Sequence, residues 1–156
     1  MSNLLYTNGQ YNVQKNDLDW ETAVICVLLE RSTSTYAPNK DHDFLDAFTT
    51  GGGVEISVVS YARRTLTSSA INKNDALDQT ELDCSNIAFG SLESGQTVKA
   101  LILYVQISGD DSTPEDDILL AYIDTDGNSI LPVALGGGAF NITVNGQGLM
   151  KIAQKA

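Results

Sequence analysis

The sequence predicts an all-β fold, an antiparallel β-sandwich or small barrel of about eight strands with one short helical turn. Three observations predict it. The runs Ala23 to Leu29 and Ala100 to Val105 are apolar at successive positions, the pattern of central strands covered on both faces. Val54, Ile56 and Val58 alternate with Glu55 and Ser57, the pattern of a strand with one wet face. Clusters of Gly, Asn, Asp and Pro separate the apolar segments at the spacing of short strands, and no helical period is sustained anywhere.

Taken in order, residues 1–17 form a polar N-terminal arm and 18–156 a single β-sandwich domain, since 156 residues suit one ordinary core and not two. Met1 to Gln14 has neither the basic start nor the apolar stretch of a signal peptide. The strand segments are Ala23–Leu29, Val54–Val58, Arg64–Thr67, Gln79–Cys84, Val98–Ile107, Ile118–Ile123, Phe140–Val144 and Leu149–Ile152. Between the first two, Pro38 fixes its own φ and extends Ala37, so a helical turn starts only later. Asp41 or Asp43 is placed to cap that turn, which carries Phe44, Leu45 and Phe48. Glycine-rich breaks at 51–53, 94–95, 126–127 and 136–138 separate strands, not domains.

Composition restricts the partners. Nine Lys and Arg against 20 Asp and Glu leave a formal charge of −11, which opposes binding to a phosphate backbone or an anionic membrane. Neither apolar run approaches the roughly 20 residues of a spanning helix. The acids gather at Asp110-Asp111 and Glu115-Asp116-Asp117, a loop read as solvated surface.

No catalytic, cofactor or metal site emerges from spacing. His42, the only histidine, lies between Asp41 and Asp43. Nucleophilic catalysis would want an activated Ser or Cys beside it, and zinc would want further ligands, so an imidazole bonded inside its own loop is the expectation. Cys26 and Cys84 sit in apolar or alternating stretches without C-x-x-C spacing and are expected as buried free thiols. Asp124-Thr125-Asp126-Gly127-Asn128 lacks the glycine and glutamate positions of a calcium loop and reads as a hairpin turn. Asn141-Ile142-Thr143 matches a glycosylation sequon but falls in an expected strand.

A resemblance carries the sequence further. Asp19-Trp20-Glu21-Thr22 before the first strand, Tyr36-Ala37-Pro38 and His42-Asp43-Phe44-Leu45 after it, and Ser60-Tyr61-Ala62-Arg63-Arg64-Thr65-Leu66 resemble, in order, segments of small virion structural proteins of tailed bacteriophages. Glu81 to Phe89, Leu119 to Asp124 and Phe140 to Val144 continue the likeness, which spans roughly residues 18 to 152. Departures occur at Ala23, Ser60, Cys84 and Phe89. The resemblance implies a non-enzymatic capsid decoration or cement protein on the virion head surface, made in the bacterial host cytoplasm. Its implied partners are the major capsid protein and itself, as a homo-oligomer with a trimer favoured, with no nucleic acid, no membrane and no cofactor. Other virion parts (head fibre, tail protein, fibre adaptor) and a carbohydrate- or calcium-binding β-module are the alternatives. Trp20, Tyr36 and Tyr61, with Tyr104, are interface candidates, because aromatics are enriched at binding hot spots, although each also suits a core.

Overall fold

Strands β2 (Ile25–Arg31) and β7 (Thr97–Val105) are the two apolar runs, and they pair antiparallel with Ile25 opposite Val105 and Leu29 opposite Leu101. A computed structural model describes residues 3–77, 79–125, 131–144, 146 and 148–153. The main sheet runs β1-β8-β7-β2-β3, adding β1 (Leu4–Leu5), β8 (Ile118–Ile123) and β3 (Arg64–Thr65), while β9 (Val133–Ala134) pairs with the start of β7. Two smaller antiparallel sheets stand apart from it. One joins β4 (Ala70–Asn74), β5 (Gln79–Asp83) and β11 (Met150–Ala153), and the other joins β6 (Ile87–Ser91) and β10 (Ala139–Ile142).

The alternation of side chains along β2 and β7 divides the interior in two. Ile25, Val27, Leu29, Leu101, Leu103 and Val105 face the smaller sheets and pack with Leu82, Ile87, Phe89, Phe140 and Trp20, the face-to-face arrangement of a sandwich. Cys26, Leu28, Ala100, Ile102 and Tyr104 point the other way, beneath Tyr6, Tyr36, Leu45 and Phe48. The main sheet is therefore covered on both faces, which is why Ile25–Leu29 and Ala100–Val105 run without polar alternation.

Three expectations are corrected. The segment expected as a polar arm forms β1 and a nine-residue helix, α1 (Thr7–Lys15), docked on β8 of the same chain. Its sequence, TNGQYNVQK, is a poor helix former, so tertiary contact supplies what propensity does not. Gly9 is the contact: a Cβ there would lie 2.4 Å from the Leu119 carbonyl oxygen. Val54–Val58 forms no strand. It touches β2 only through the bridge Glu30↔Glu55 and the bonds Arg31 N–H to Val54 O and Ile56 N–H to Leu29 O, because β3 takes the rest of that edge. The helix expected from an Asp41 or Asp43 cap starts later, as α2 (Asp46–Thr50), behind an N-cap at Leu45 that makes no side-chain bond. The backbone before it is already committed, since Leu119 N–H donates to Asp43 O and Phe44 bridges Ile118. The Asp126-Gly127-Asn128 part of the expected turn lies outside the described residues.

Candidate functional site

Two polar braces hold long loops against the doubly covered sheet. The first secures residues 32–46. Tyr36 is buried among Phe48, Tyr122 and His42, and its hydroxyl bonds Tyr6 Oη at 3.0 Å and His42 Nδ1 at 2.9 Å. His42 is thus tied within its own loop, while Tyr6, which is fully buried, ties that loop to the N-terminal segment. Burial above all, reinforced by Tyr36, pushes the Tyr6 hydroxyl far above its usual range, so it remains a protonated partner. Thr7 N–H donates to Lys40 O and Leu45 N–H to Asp117 O, fixing the loop at its middle and at its far end.

Beneath this loop lies a charge that the apolar reading of β2 stopped one residue short of. Glu30 is fully buried. Tyr122 donates to its Oε2 at 2.6 Å, and Lys99 Nζ donates to its Oε1 at 3.1 Å while also reaching the Tyr36 carbonyl at 3.4 Å. Both carboxylate oxygens have partners, which is what a buried charge requires.

The second brace secures residues 54–64. Arg63 grips Glu55 through Nε and Nη2, at 3.0 and 2.9 Å, and its Nη1 reaches both Tyr104 Oη and Asp111 Oδ1 at 3.1 Å. Burial opposes the charge of Arg63, but the bonds to Glu55 and Tyr104 outweigh it and raise its pKa. Tyr61 donates to Glu55 Oε1 and accepts from Leu29 N–H, tying the loop to the centre of β2. Asp111 completes the group by accepting from Tyr104 at 2.6 Å and from Gln106 at 2.9 Å.

Three of the four aromatic interface candidates belong to the interior. Trp20 and Tyr104 are fully buried, Tyr36 nearly so, and Tyr61 is packed against the larger core. Trp20 Nε1 donates to the Asp83 carbonyl. Trp20 and Tyr36 thus take the core place that suited them equally and are corrected as interface candidates, while the half-buried Tyr61 has its ring stacked on Phe89. The surface instead presents Val59, 97% exposed at a loop tip, with Ile107 and Val24 beside the acidic turn. Glu30, Lys99, Glu55 and Asp111 were missed: the partners of Glu30 lie 69 and 92 residues away, and Glu55 and Asp111 are brought together only through Arg63.

The acidic turn between β7 and β8 is largely internally bonded. Asp110 accepts from Ser112 N–H, and Asp117 Oδ1 accepts from Ile107 N–H. Asp117 is fully buried, and its Oδ2 has no partner among the described residues. Burial first, then the nearby Asp111, raises its pKa against the opposing Ile107 bond. No cluster of three or more candidate metal ligands occurs among the described residues. Cys26 and Cys84 are free and buried in separate halves of the core, and burial pushes the Cys84 thiol up to about 11. Comparison with family models, with curated proteins and with solved structures finds no match.

Proposed function

We propose that this chain is a non-enzymatic virion protein of a tailed bacteriophage, a decoration or cement protein that binds the major capsid protein on the outer head surface as a trimer. One observation carries the reading. The residues behind the resemblance, Asp19, Trp20, Tyr36, Tyr61 and Arg63, brace turns and loops onto the sheet instead of lining an open cleft. Asp19 accepts from Glu21 N–H and from the Thr22 hydroxyl, Trp20 anchors to β5, and the others hold the loops described above. A stiff frame displaying fixed loops suits recognition of a broad, symmetric protein surface, where binding depends on shape and on little reordering.

Charge supports the same reading, because an acidic domain stays soluble before assembly and is not captured by a packaged genome. The calcium alternative draws little from the acidic turn, where Asp111 already receives Arg63, Tyr104 and Gln106. The test is addition of the purified protein to mature capsids that lack it, followed by cryo-electron microscopy. Density at threefold or quasi-threefold positions on the head is expected. Density confined to the tail, or none on the head, overturns the decoration reading and favours a fibre or tail role.

A further inference from the structure

The two adjacent arginines at the start of β3, Arg63 just before it and Arg64 within it, have different fates. Arg63 is neutralised by Glu55 and Asp111. Arg64 leaves the strand toward β6, where its Nη2 donates to the Phe89 carbonyl at 2.9 Å. It makes no ion pair among the described residues, and its Nε is sealed from solvent without an acceptor. In a chain with 20 acidic residues, a half-buried guanidinium fixed at one end and left without a counter-charge is an unbalanced arrangement.

Beside it, between β3 and β6, lies a groove of about 200 Å³ whose lining joins Arg64, Thr65, Thr67, Ser85 and Asn86 to the apolar Leu66, Ile87 and Ala88. The groove is closed at one end by Ser85 N–H donating to Thr67 O. Asn86 accepts Val144 N–H through Oδ1, which leaves its amide hydrogens as donors, and the exposed Thr67 and Ser85 add hydroxyl groups. With Nε sealed and one Nη2 hydrogen given to Phe89, the end-on pair of Nη1 and Nη2 hydrogens is what remains to receive a carboxylate or phosphate, and flanking hydroxyls and amides suit a hydroxylated ring. The volume fits one small polar ring and is below the range of larger ligand sites.

We propose that this groove binds an anionic monosaccharide, with Arg64 receiving its carboxylate or phosphate and Thr67, Ser85 and Asn86 contacting its hydroxyl groups. The proposal does not rest on the virion reading, and its test uses the isolated full chain.

The experiment is amide NMR titration of isotope-labelled protein at physiological ionic strength with glucuronate, N-acetylneuraminate, glucose 6-phosphate, inorganic phosphate and glucose. Saturable shifts at Thr65, Thr67, Ser85 and Ala88 are expected with at least one charged sugar, and no saturation with glucose. The carboxylate and phosphate arms identify which anion is preferred. Arg64→Gln is expected to weaken binding by about tenfold or more, and Thr67→Val, which removes only an exposed hydroxyl, by about two- to fivefold. The proposal is overturned if no charged sugar gives saturable shifts at these amides in the wild-type chain. It is equally overturned if glucose or inorganic phosphate binds as tightly as the charged sugars, or if a folded Arg64→Gln binds unchanged.

Discussion

Removing the hydroxyl of Tyr36 should destabilise the fold far more than removing that of Tyr6, although each substitution deletes one oxygen. Tyr6→Phe loses a single bond and leaves Tyr36 still paired with His42. Its cost is about 0.5–1.5 kcal/mol. Tyr36→Phe loses both bonds and strands the Tyr6 hydroxyl, which is fully buried and has Tyr36 as its hydrogen-bond partner. A buried orphan adds about 1–3 kcal/mol, for a total of roughly 2–4. The ring contacts of Tyr36 with Phe48 and Tyr122 survive in the phenylalanine variant, so packing does not confound the comparison. Adding Tyr6→Phe to Tyr36→Phe removes the orphan, and the double variant should regain about 1–3 kcal/mol. Urea unfolding followed by the fluorescence of Trp20, the only tryptophan and a core residue, measures all three differences. In thermal unfolding each kcal/mol should appear as about 2–4 °C. Equal costs for the two single variants, or strict additivity in the double, would refute the argument that Tyr36 is the shared link.

Gly9→Ala should force α1 away from the Leu119 carbonyl, costing about 1–3 kcal/mol and speeding hydrogen exchange across Leu4 to Val13; unchanged protection there would mean the contact is not tight. Arg63→Ala should cost roughly 2–4 kcal/mol in urea unfolding, because Glu55 and Tyr104 lose a shared partner, whereas a loss under about 0.5 kcal/mol would make the brace superficial. Asp117→Asn removes a carboxyl whose folded pKa lies above its unfolded one. The folded chain then holds the extra proton between those two values, so the penalty is absent below the unfolded range, about 3.9, and grows as pH rises through the folded value. The variant should match or exceed the wild type in stability at neutral pH, with the difference closing on acidification; a difference that widens toward low pH contradicts the assignment. Alkylation followed by mass spectrometry should find Cys26 and Cys84 protected in the folded chain, with both thiols labelled in denaturant without reductant.

What the sequence disclosed was whatever burial writes locally. Ile25 to Leu29 and Leu101 to Val105 had to be central strands, because only two covered faces tolerate unbroken apolar runs. Ile56 kept the buried place its alternation assigned, although its segment pairs too briefly to count as a strand. Strands β4 and β6 were illegible for opposite reasons: Ala70–Asn74 is a polar edge, and Ile87–Ser91 contains Gly90 at φ 77°. Helix α1 was hidden because its glycine, a breaker by propensity, is required by close approach to β8. The braces were hidden more deeply, since nothing local marks Tyr6, Tyr36 and Tyr122 as polar partners until the fold brings the Tyr122 hydroxyl to Glu30 and the Tyr36 hydroxyl to Tyr6 and His42.

Glu30 also settles a question that the apolar strands leave open. In a sheet with one wet face, a slip of one residue exposes the wrong side chains and is rejected by solvation alone. Strands β2 and β7 lack that safeguard, because either face of Ile25 to Leu29 would be content in either half of the core. Glu30 breaks the degeneracy. A one-residue slip of β2 would swing its carboxylate into the half occupied by Leu29 and Leu101, away from Lys99 and Tyr122, and the cost of an unpaired buried charge would fall on the misaligned state. The single acid in the most apolar part of the chain thus acts as an alignment key: it adds little to the depth of the native minimum and removes its nearest competitor.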